Sequence, residues 1–318
     1  MSLSAAVILL LASSYNADCL QRLLDQADPA LTLEQLRSRC QQTPSQAEAA
    51  PDPLDQRLQS EQRAADRRFA LNAHHNNYLL PFSYNHAPNR TQWEYSPGEM
   101  DSWEMQFQLS FKVPITPAWF SQQGRLFVAY TNQSWWQAYN KTVSAPFRET
   151  NHMPELIYLH QPANWQWANW DIQALSLSFN HQSNGRSGLQ SRSWNRIIAG
   201  MAIANGPWII GLNSWYRLKE DPKETPDDPR GDDNPDILDY MGHGELMLLH
   251  KQQDRVLSLR TRGNIATGKG GIEAGWSFPL RGKLRGYVQA YYGYGESLID
   301  YNAKAERISL GIEFTPWL

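Results

Sequence analysis

Residues 103 to 113 read Trp103-Glu104-Met105-Gln106-Phe107-Gln108-Leu109-Ser110-Phe111-Lys112-Val113. Every odd-numbered residue of this stretch is apolar, and every even-numbered residue is polar. Successive side chains of a β-strand point to opposite faces of the sheet, so this alternation predicts a strand with one apolar and one polar face. The same pattern recurs along the chain from residue 69 onward.

Twelve segments carry this pattern and are predicted to be strands. They are Phe69–Tyr78, Trp103–Val113, Leu126–Trp136, Glu149–His160, Asp171–His181, Ser193–Ala204, Trp208–Leu218, Ile237–Leu249, Val256–Gly263, Gly271–Phe278, Leu284–Tyr292 and Arg307–Phe314. Long polar loops near 85–100, 133–147, 182–192, 219–236 and 293–304 alternate with short turns. These features predict an all-β fold, a twelve-stranded antiparallel transmembrane β-barrel. The alternative is a soluble β-sandwich or barrel with the apolar faces as its core.

The N-terminal region differs in composition from the strands. An apolar run at 5–12 predicts a signal peptide over 1–17, because export signals carry such a run before small residues. Residues 18–68 are predicted to form a short, weakly structured periplasmic extension, and 69–318 the barrel domain. After export, Cys19 and Cys40 either form a disulfide or stay as two thiols. The formal net charge of −3 gives no electrostatic reason to expect nucleic acid as a partner.

The segment from Leu175 to Ile203 combines two predicted strands with a polar cluster. When the strands fold into a hairpin about Gly188, His181 lies opposite Asn195, and Ser183 is close by. A nucleophile, a base and an orienting group are the parts of a hydrolase site. We therefore expect Ser183 to be the nucleophile, His181 the general base and Asn195 the group that fixes the His181 tautomer. The alternative for each residue alone is ordinary loop chemistry.

The face that carries this trio also carries Leu177, Phe179 and Ile197, so it is predicted to face lipid. A polar cluster on a lipid face is costly and indicates a functional site, here one that acts on a lipid. The neighbouring loops offer hard oxygen ligands that suit Ca²⁺. Candidate ligands are Ser191, the Arg186 carbonyl and the acidic run 232–236, for which the alternative is a solvated loop tip.

The chain resembles the outer membrane phospholipase A family. Six segments carry the resemblance: Asn180-His181-Gln182-Ser183-Asn184-Gly185-Arg186-Ser187, Ser191-Arg192-Ser193-Trp194-Asn195-Arg196, Ser134-Trp135-Trp136-Gln137, Pro146-Phe147-Arg148-Glu149-Thr150-Asn151, Asp232-Asp233-Asn234-Pro235-Asp236-Ile237, and 293–302. The resemblance covers about 70–318. It implies a twelve-stranded barrel in the bacterial outer membrane. It also implies a calcium-dependent hydrolase of the sn-1 and sn-2 acyl esters of glycerophospholipids and lysophospholipids.

The resemblance also implies roles for single residues. His181, Ser183 and Asn195 match the catalytic triad. The calcium positions correspond to Ser144, Arg186, Ser191 and Asp233, and the family is activated as a homodimer in which Ser144 supplies a carbonyl to the partner subunit. A second acidic calcium position is Gly188 in this chain, and a glutamine of the dimer contact is Asn132.

Two functions without catalysis compete with this hypothesis. One is a passive outer-membrane pore or structural barrel, which has no use for the trio. The other is a surface adhesin or receptor built from the long loops.

Overall fold

The computed structural model describes residues 53–65, 71–92, 100–115, 124–225, 227–282 and 284–316. The predicted signal peptide, both cysteines and most of the predicted periplasmic extension lie outside the described residues. Their boundaries stay predictions.

Fourteen strands and two α-helices make up the described fold. The helices are α1 (Pro53–Ala65) and α2 (Ile237–Met241). The strands are β1 (Asn72–Ala73), β2 (Asn77–Asn85), β3 (Trp103–Pro114), β4 (Gly124–Trp136), β5 (Phe147–His160), β6 (Gln166–Trp167), β7 (Trp170–Ser183), β8 (Ser193–Asn205), β9 (Trp208–Arg217), β10 (Gly244–Gln252), β11 (Arg255–Asn264), β12 (Lys269–Pro279), β13 (Arg285–Tyr294) and β14 (Lys304–Thr315). Among the described residues, no helix is long and apolar enough to cross a membrane.

The sheet closes on itself. Each long strand pairs antiparallel with its neighbours, and the last strand, β14, pairs with the first long strand, β2, through Leu310 and Phe82 among others. The two-residue strand β1 pairs with the end of β3, and β6 pairs with the start of β7. Neither adds a further strand to the barrel wall. The twelve long strands therefore form a closed antiparallel barrel, as predicted from the alternation.

The polar side chains of the strands point mainly into the barrel, and the large apolar side chains point mainly out. In β3, Glu104 and Gln106 are almost fully buried, whereas Leu109 is half exposed. This arrangement is the inverse of a soluble protein, and it is stable where the surroundings are lipid. The soluble alternative is therefore wrong.

Two of the twelve predicted strands are misplaced. The strand expected at Phe69–Tyr78 is found at Asn77–Asn85, where Pro81 sits in a register shift between Leu80 and Ser83. Proline cannot donate a ladder hydrogen bond, and it is tolerated here because the strand bulges.

The strand expected at Ile237–Leu249 begins only at Gly244. Its first part is the helix α2, whose Ile237 and Met241 are buried four residues apart on one helical face. Gly242 ends the helix with a φ of 65°.

The helix α1 lies at the barrel end that carries the short turns, within the segment predicted to be weakly structured. Its Arg57 donates to the carbonyls of Ala73 and His74 at 2.9 and 3.2 Å. Glu61 pairs with Lys112 at 2.8 Å. Burial opposes ionisation of Glu61, but Lys112 and Arg57 keep its pKa below the ordinary value. With Leu54 packed on a buried cluster inside the barrel, α1 fills this end of the lumen.

A buried ion network occupies the lumen toward the long loops. Arg148 pairs with Glu104 at 2.6 Å and also with Asp300. Arg307 contacts the same Glu104 at 2.9 Å and Glu296 at 2.6 Å. Each cation thus bridges two carboxylates, and together they tie β3, β5, β14 and the β13–β14 connection to one another across the barrel.

We expect Arg148→Met to lower the unfolding free energy by about 3–5 kcal/mol, because the change leaves Glu104 and Asp300 buried without their shared cation. Urea unfolding in phospholipid vesicles measures the loss. Arg255→Met is the matched control, since Arg255 is exposed at the opposite barrel end. Equal stability of the two variants would contradict a structural role for the network.

Candidate active site

The hairpin of β7 and β8 has the predicted register. His181 pairs with Asn195, Phe179 with Ile197 and Leu177 with Ala199. Phe179 and Leu177 are about half exposed on the outward face. Ser178 and Asn180, which alternate with them, are buried and face the lumen. The sequence therefore correctly predicted that the face with Leu177 and Phe179 points outward.

His181 and Asn195 are joined by a hydrogen bond across this register. The distance from His181 Nδ1 to Asn195 Oδ1 is 2.8 Å. An amide oxygen only accepts hydrogen bonds, so the imidazole donates from Nδ1. The second ring nitrogen, Nε2, is then the one that can accept a proton. This is the tautomer that a general base needs.

Ser183 lies two residues from His181 on the same strand and therefore on the same outward face. Its partner across the sheet is Ser193 on β8 and, on the other side, His152 on β5. Ser183 is the last residue of β7, at the end of the barrel where the long loops are. The trio thus forms a polar group at the rim of an otherwise apolar outer surface.

The β7–β8 loop is fixed by Asn184, which follows Ser183. Asn184 Oδ1 accepts from the backbone N–H groups of Arg186 and Arg192 at 3.2 and 3.0 Å. Its Nδ2 donates to the Gln190 carbonyl at 2.9 Å. The Asn184-Gly185 pair is a turn signal, and Gly185 has a φ of 65°. One side chain thus holds both ends of the loop in place.

Two of the predicted calcium positions lie together. Ser191 Oγ donates to Asp233 Oδ2 at 2.8 Å, and Ser193 Oγ donates to the same oxygen at 3.2 Å. The other carboxylate oxygen of Asp233 is paired with Lys223 Nζ at 2.6 Å. In the part of the chain that the structure describes, no group of three or more His, Cys, Asp and Glu side chains is placed to hold a metal ion.

The other two predicted calcium positions lie on two different connections. Arg186 shares the β7–β8 loop with Ser191, and its guanidinium donates to the Arg148 carbonyl at 2.7 Å. Ser144 lies on the β4–β5 connection, where it and Ala145 have φ angles of 59° and 52°. Left-handed backbone in non-glycine residues is strained, and such strain concentrates at functional sites. Ser144 is exposed on this connection.

The loops above the lumen pack on one another through a buried apolar cluster. Its members are Trp194, Trp215, Ile237, Met241, Leu298 and Tyr301. Burial, followed by the neighbouring carboxylate of Asp236, raises the pKa of Tyr301. The phenol therefore keeps its proton and donates a hydrogen bond to Asp236. This cluster packs β8 and β9 against α2 and the β13–β14 connection.

Two contacts of the site were missed from the sequence. Asn195 Nδ2 donates to Glu220 Oε1 at 3.0 Å, and Lys223 pairs with Asp233. Glu220 and Lys223 lie in the long polar connection between β9 and β10. No periodic sequence pattern there indicates which side chains contact the barrel. Only the pairing of the loop with the strands could have identified them.

Comparison with known proteins identifies the family. A family model described as phospholipase A1 matches residues 54–314. The chain is also 37% identical over 250 residues to phospholipase A1 of Klebsiella pneumoniae, which covers 78% of this chain and 83% of the relative. The chain belongs to the phospholipase A1 family.

Solved structures of this family share the fold. The outer membrane phospholipase A of Escherichia coli superposes with a TM-score of 0.72 at 35% identity, covering 79% of this chain and all of that one. A structure of the E. coli protein with an active-site asparagine replaced by alanine gives the same TM-score. So does the outer membrane phospholipase dimer of Salmonella typhi with bound calcium, at 34% identity over 80% of this chain and 96% of that one.

The chain is therefore a phospholipase A of the bacterial outer membrane. The predicted resemblance, enzyme class and location are confirmed, and the two alternatives without catalysis are wrong. A cavity of about 290 Å³ lies within the barrel beside α1.

We expect Asn195→Ala to lower phospholipid hydrolysis by about 10²-fold or more, because His181 then loses the acceptor that selects its Nδ1–H tautomer. Fatty-acid release from mixed micelles measures the effect. Asn213→Ala, on the lumen side of β9, serves as the matched control. Full activity of Asn195→Ala would contradict a role for the hydrogen bond.

Proposed function

We propose that Ser183, His181 and Asn195 are a Ser-His-Asn triad. The triad would hydrolyse the sn-1 and sn-2 acyl esters of glycerophospholipids and lysophospholipids. The observation that carries the proposal is the 2.8 Å bond between His181 and Asn195 beside an outward-facing serine at the barrel rim. The asparagine in the active site of the E. coli relative supports it.

The reaction follows the steps of serine hydrolases. Ser183 Oγ attacks the ester carbonyl carbon while His181 Nε2 takes the hydroxyl proton. The tetrahedral intermediate collapses, the ester C–O bond breaks, and the protonated His181 gives its proton to the departing glycerol oxygen. Water then attacks the acyl-serine with His181 again as the base, which releases the fatty acid and restores Ser183. Throughout, Asn195 Oδ1 accepts the Nδ1–H bond and holds the ring in position.

The position of the triad explains how a lipid reaches it. The outward surface below the triad carries Leu177, Phe179 and Ile197, each exposed by about half. Acyl chains in the membrane contact this surface directly, and the ester then lies at the height of the polar rim. No pocket within the barrel is needed for the substrate.

One barrel offers acyl chains an open face rather than a groove. A second barrel against this face supplies the missing wall, so we propose that the homodimer is the active form. The dimeric Salmonella typhi relative supports this proposal. A lipase that is inactive as a monomer also spares the membrane that contains it.

Calcium is the proposed cofactor. The rim residues fit a calcium ion that is bound mainly by neutral hydroxyl and carbonyl oxygens. The ligands would be Ser191 Oγ, the Arg186 carbonyl and the partner's Ser144 carbonyl. The Ser191 hydroxyl donates its hydrogen bond to Asp233. The lone pairs of Ser191 Oγ are then left to bind a cation. Asp233 would then act through Ser191. Bound calcium would supply positive charge near the ester oxygen, where negative charge develops during attack.

We expect Ser183→Ala to abolish fatty-acid release and labelling by a long-chain sulfonyl fluoride, because both reactions need the Ser183 hydroxyl. Ser214→Ala, on the outward face of β9, should retain both. Mass spectrometry of the labelled peptide identifies the modified residue. Release that persists in Ser183→Ala would remove Ser183 from the mechanism.

We expect calcium to favour the dimer, because its ligands come from two subunits. Chelation, or Ser191→Ala, should shift the protein in detergent to monomers and lower fatty-acid release, as measured by sedimentation and cross-linking. Ser258→Ala, within the barrel, is the control. Dimers that resist both treatments would contradict the shared calcium site. Activity proportional to monomer concentration at every dilution would contradict dimer activation.

A further inference from the structure

We propose that Glu220 is a positioning residue that fixes the orientation of the Asn195 amide, extending the triad to Glu220–Asn195–His181. The inference rests on the proposed function of the triad. It starts from one contact, in which Asn195 Nδ2 donates to Glu220 Oε1 at 3.0 Å.

The two ends of an amide group have nearly the same shape but opposite hydrogen-bonding properties. With Oδ1 toward His181, the amide accepts and the imidazole donates from Nδ1. If the amide is rotated by half a turn, its NH₂ group points at His181, and Nδ1 must accept. The proton then resides on Nε2, and His181 cannot take a proton from Ser183.

Glu220 distinguishes these two orientations. A carboxylate accepts hydrogen bonds and donates none, so it binds the NH₂ end of Asn195 and repels the oxygen end. The negative charge also strengthens the bond. Glu220 therefore holds Asn195 Oδ1 toward His181, although Glu220 itself does not contact His181.

The β9–β10 connection is built to bring Glu220 to this position. Just after β9, the Leu218 N–H donates to the Asn195 carbonyl at 2.8 Å, which continues the β8–β9 pairing and keeps the start of the connection beside Asn195. Beyond Glu220, Asp232 N donates to the Asp221 carbonyl at 2.8 Å. A Cβ on Gly231, whose φ is 94°, would lie 2.8 Å from that same carbonyl oxygen. The loop closes this tightly only with glycine there.

Ion pairs hold the far side of the same connection. Arg217 pairs with Asp232, and Lys223 pairs with Asp233 at 2.6 Å. A groove lined by Ser191, Glu220 and Asp233 among others joins this connection to the β7–β8 loop. Glu220 is thus held on both sides of its position in the chain.

The test exchanges the amide and the carboxylate of the Asn195–Glu220 pair and measures kcat and KM for phospholipid hydrolysis. In Glu220→Gln, the new amide can face Asn195 with either end, so we expect kcat to fall about ten-fold with KM unchanged. In Asn195→Asp, two carboxylates face each other, and we expect a loss of about 100-fold or more. In the double variant, the amide introduced by Glu220→Gln can donate to the carboxylate introduced by Asn195→Asp. We expect its kcat to rise at least about ten-fold above that of Asn195→Asp alone.

The decisive result is that Glu220→Gln lowers kcat when residue 195 is the native asparagine but raises kcat in the Asn195→Asp background. A loop that merely needs Glu220 for its fold would lower kcat in both. Glu224→Gln, in the same connection but exposed, is the matched control and should have no effect in either background. Thermal melts confirm that each variant is folded.

Unchanged kcat in Glu220→Gln, or a loss of the same size in both backgrounds, would overturn the role of Glu220. A Ser183→Ala variant measured alongside separates this outcome from failure of the proposed triad. An inactive Ser183→Ala with a fully active Glu220→Gln refutes only the positioning role, whereas an active Ser183→Ala refutes the triad itself.

Discussion

The structure depends on one constraint, that backbone N–H and C=O groups surrounded by lipid must find partners within the protein. Pairing β14 with β2 meets it by leaving no open sheet edge in the membrane. Once the sheet is closed, strand alternation divides the side chains into a lumen set and a lipid set. The polar set can only be stable inside, which is why Arg148 and Arg307 share carboxylates there. On the other face, the hydrogen-bonded pair of His181 and Asn195 is explained by the proposed triad.

Much of the barrel could be predicted because alternation is a local property of the sequence. Ten of the twelve strands were located from it, among them Trp103–Pro114. The prediction was wrong where a second local property interfered. Pro81 disguised a bulged strand, and the apolar residues Ile237 and Met241 followed a helical spacing inside what resembled a strand. The helix α1 was missed because the contacts that hold it in the barrel are distant in sequence, such as that of Glu61 with Lys112.

The candidate site divides in the same way. The pairing of His181 with Asn195 follows from the arithmetic of one hairpin, so the sequence alone located it correctly. The contacts of Glu220 and Lys223 do not follow from any spacing, because the connection that carries them folds back through hydrogen bonds and ion pairs of its own. The pairing within one hairpin can therefore be predicted from the sequence. Contacts that a distant loop makes with the site are seen only in the folded structure.

In the proposed mechanism, the outward direction of Ser183 and His181 also determines how substrate concentration is defined for this protein. Lipids that approach from the side arrive by diffusion in two dimensions, so the rate is governed by the mole fraction of substrate in the leaflet and not by its amount per volume of water. The bilayer both surrounds the barrel and supplies the phospholipid substrate. The fluidity and lateral composition of the bilayer therefore act directly on the proposed reaction.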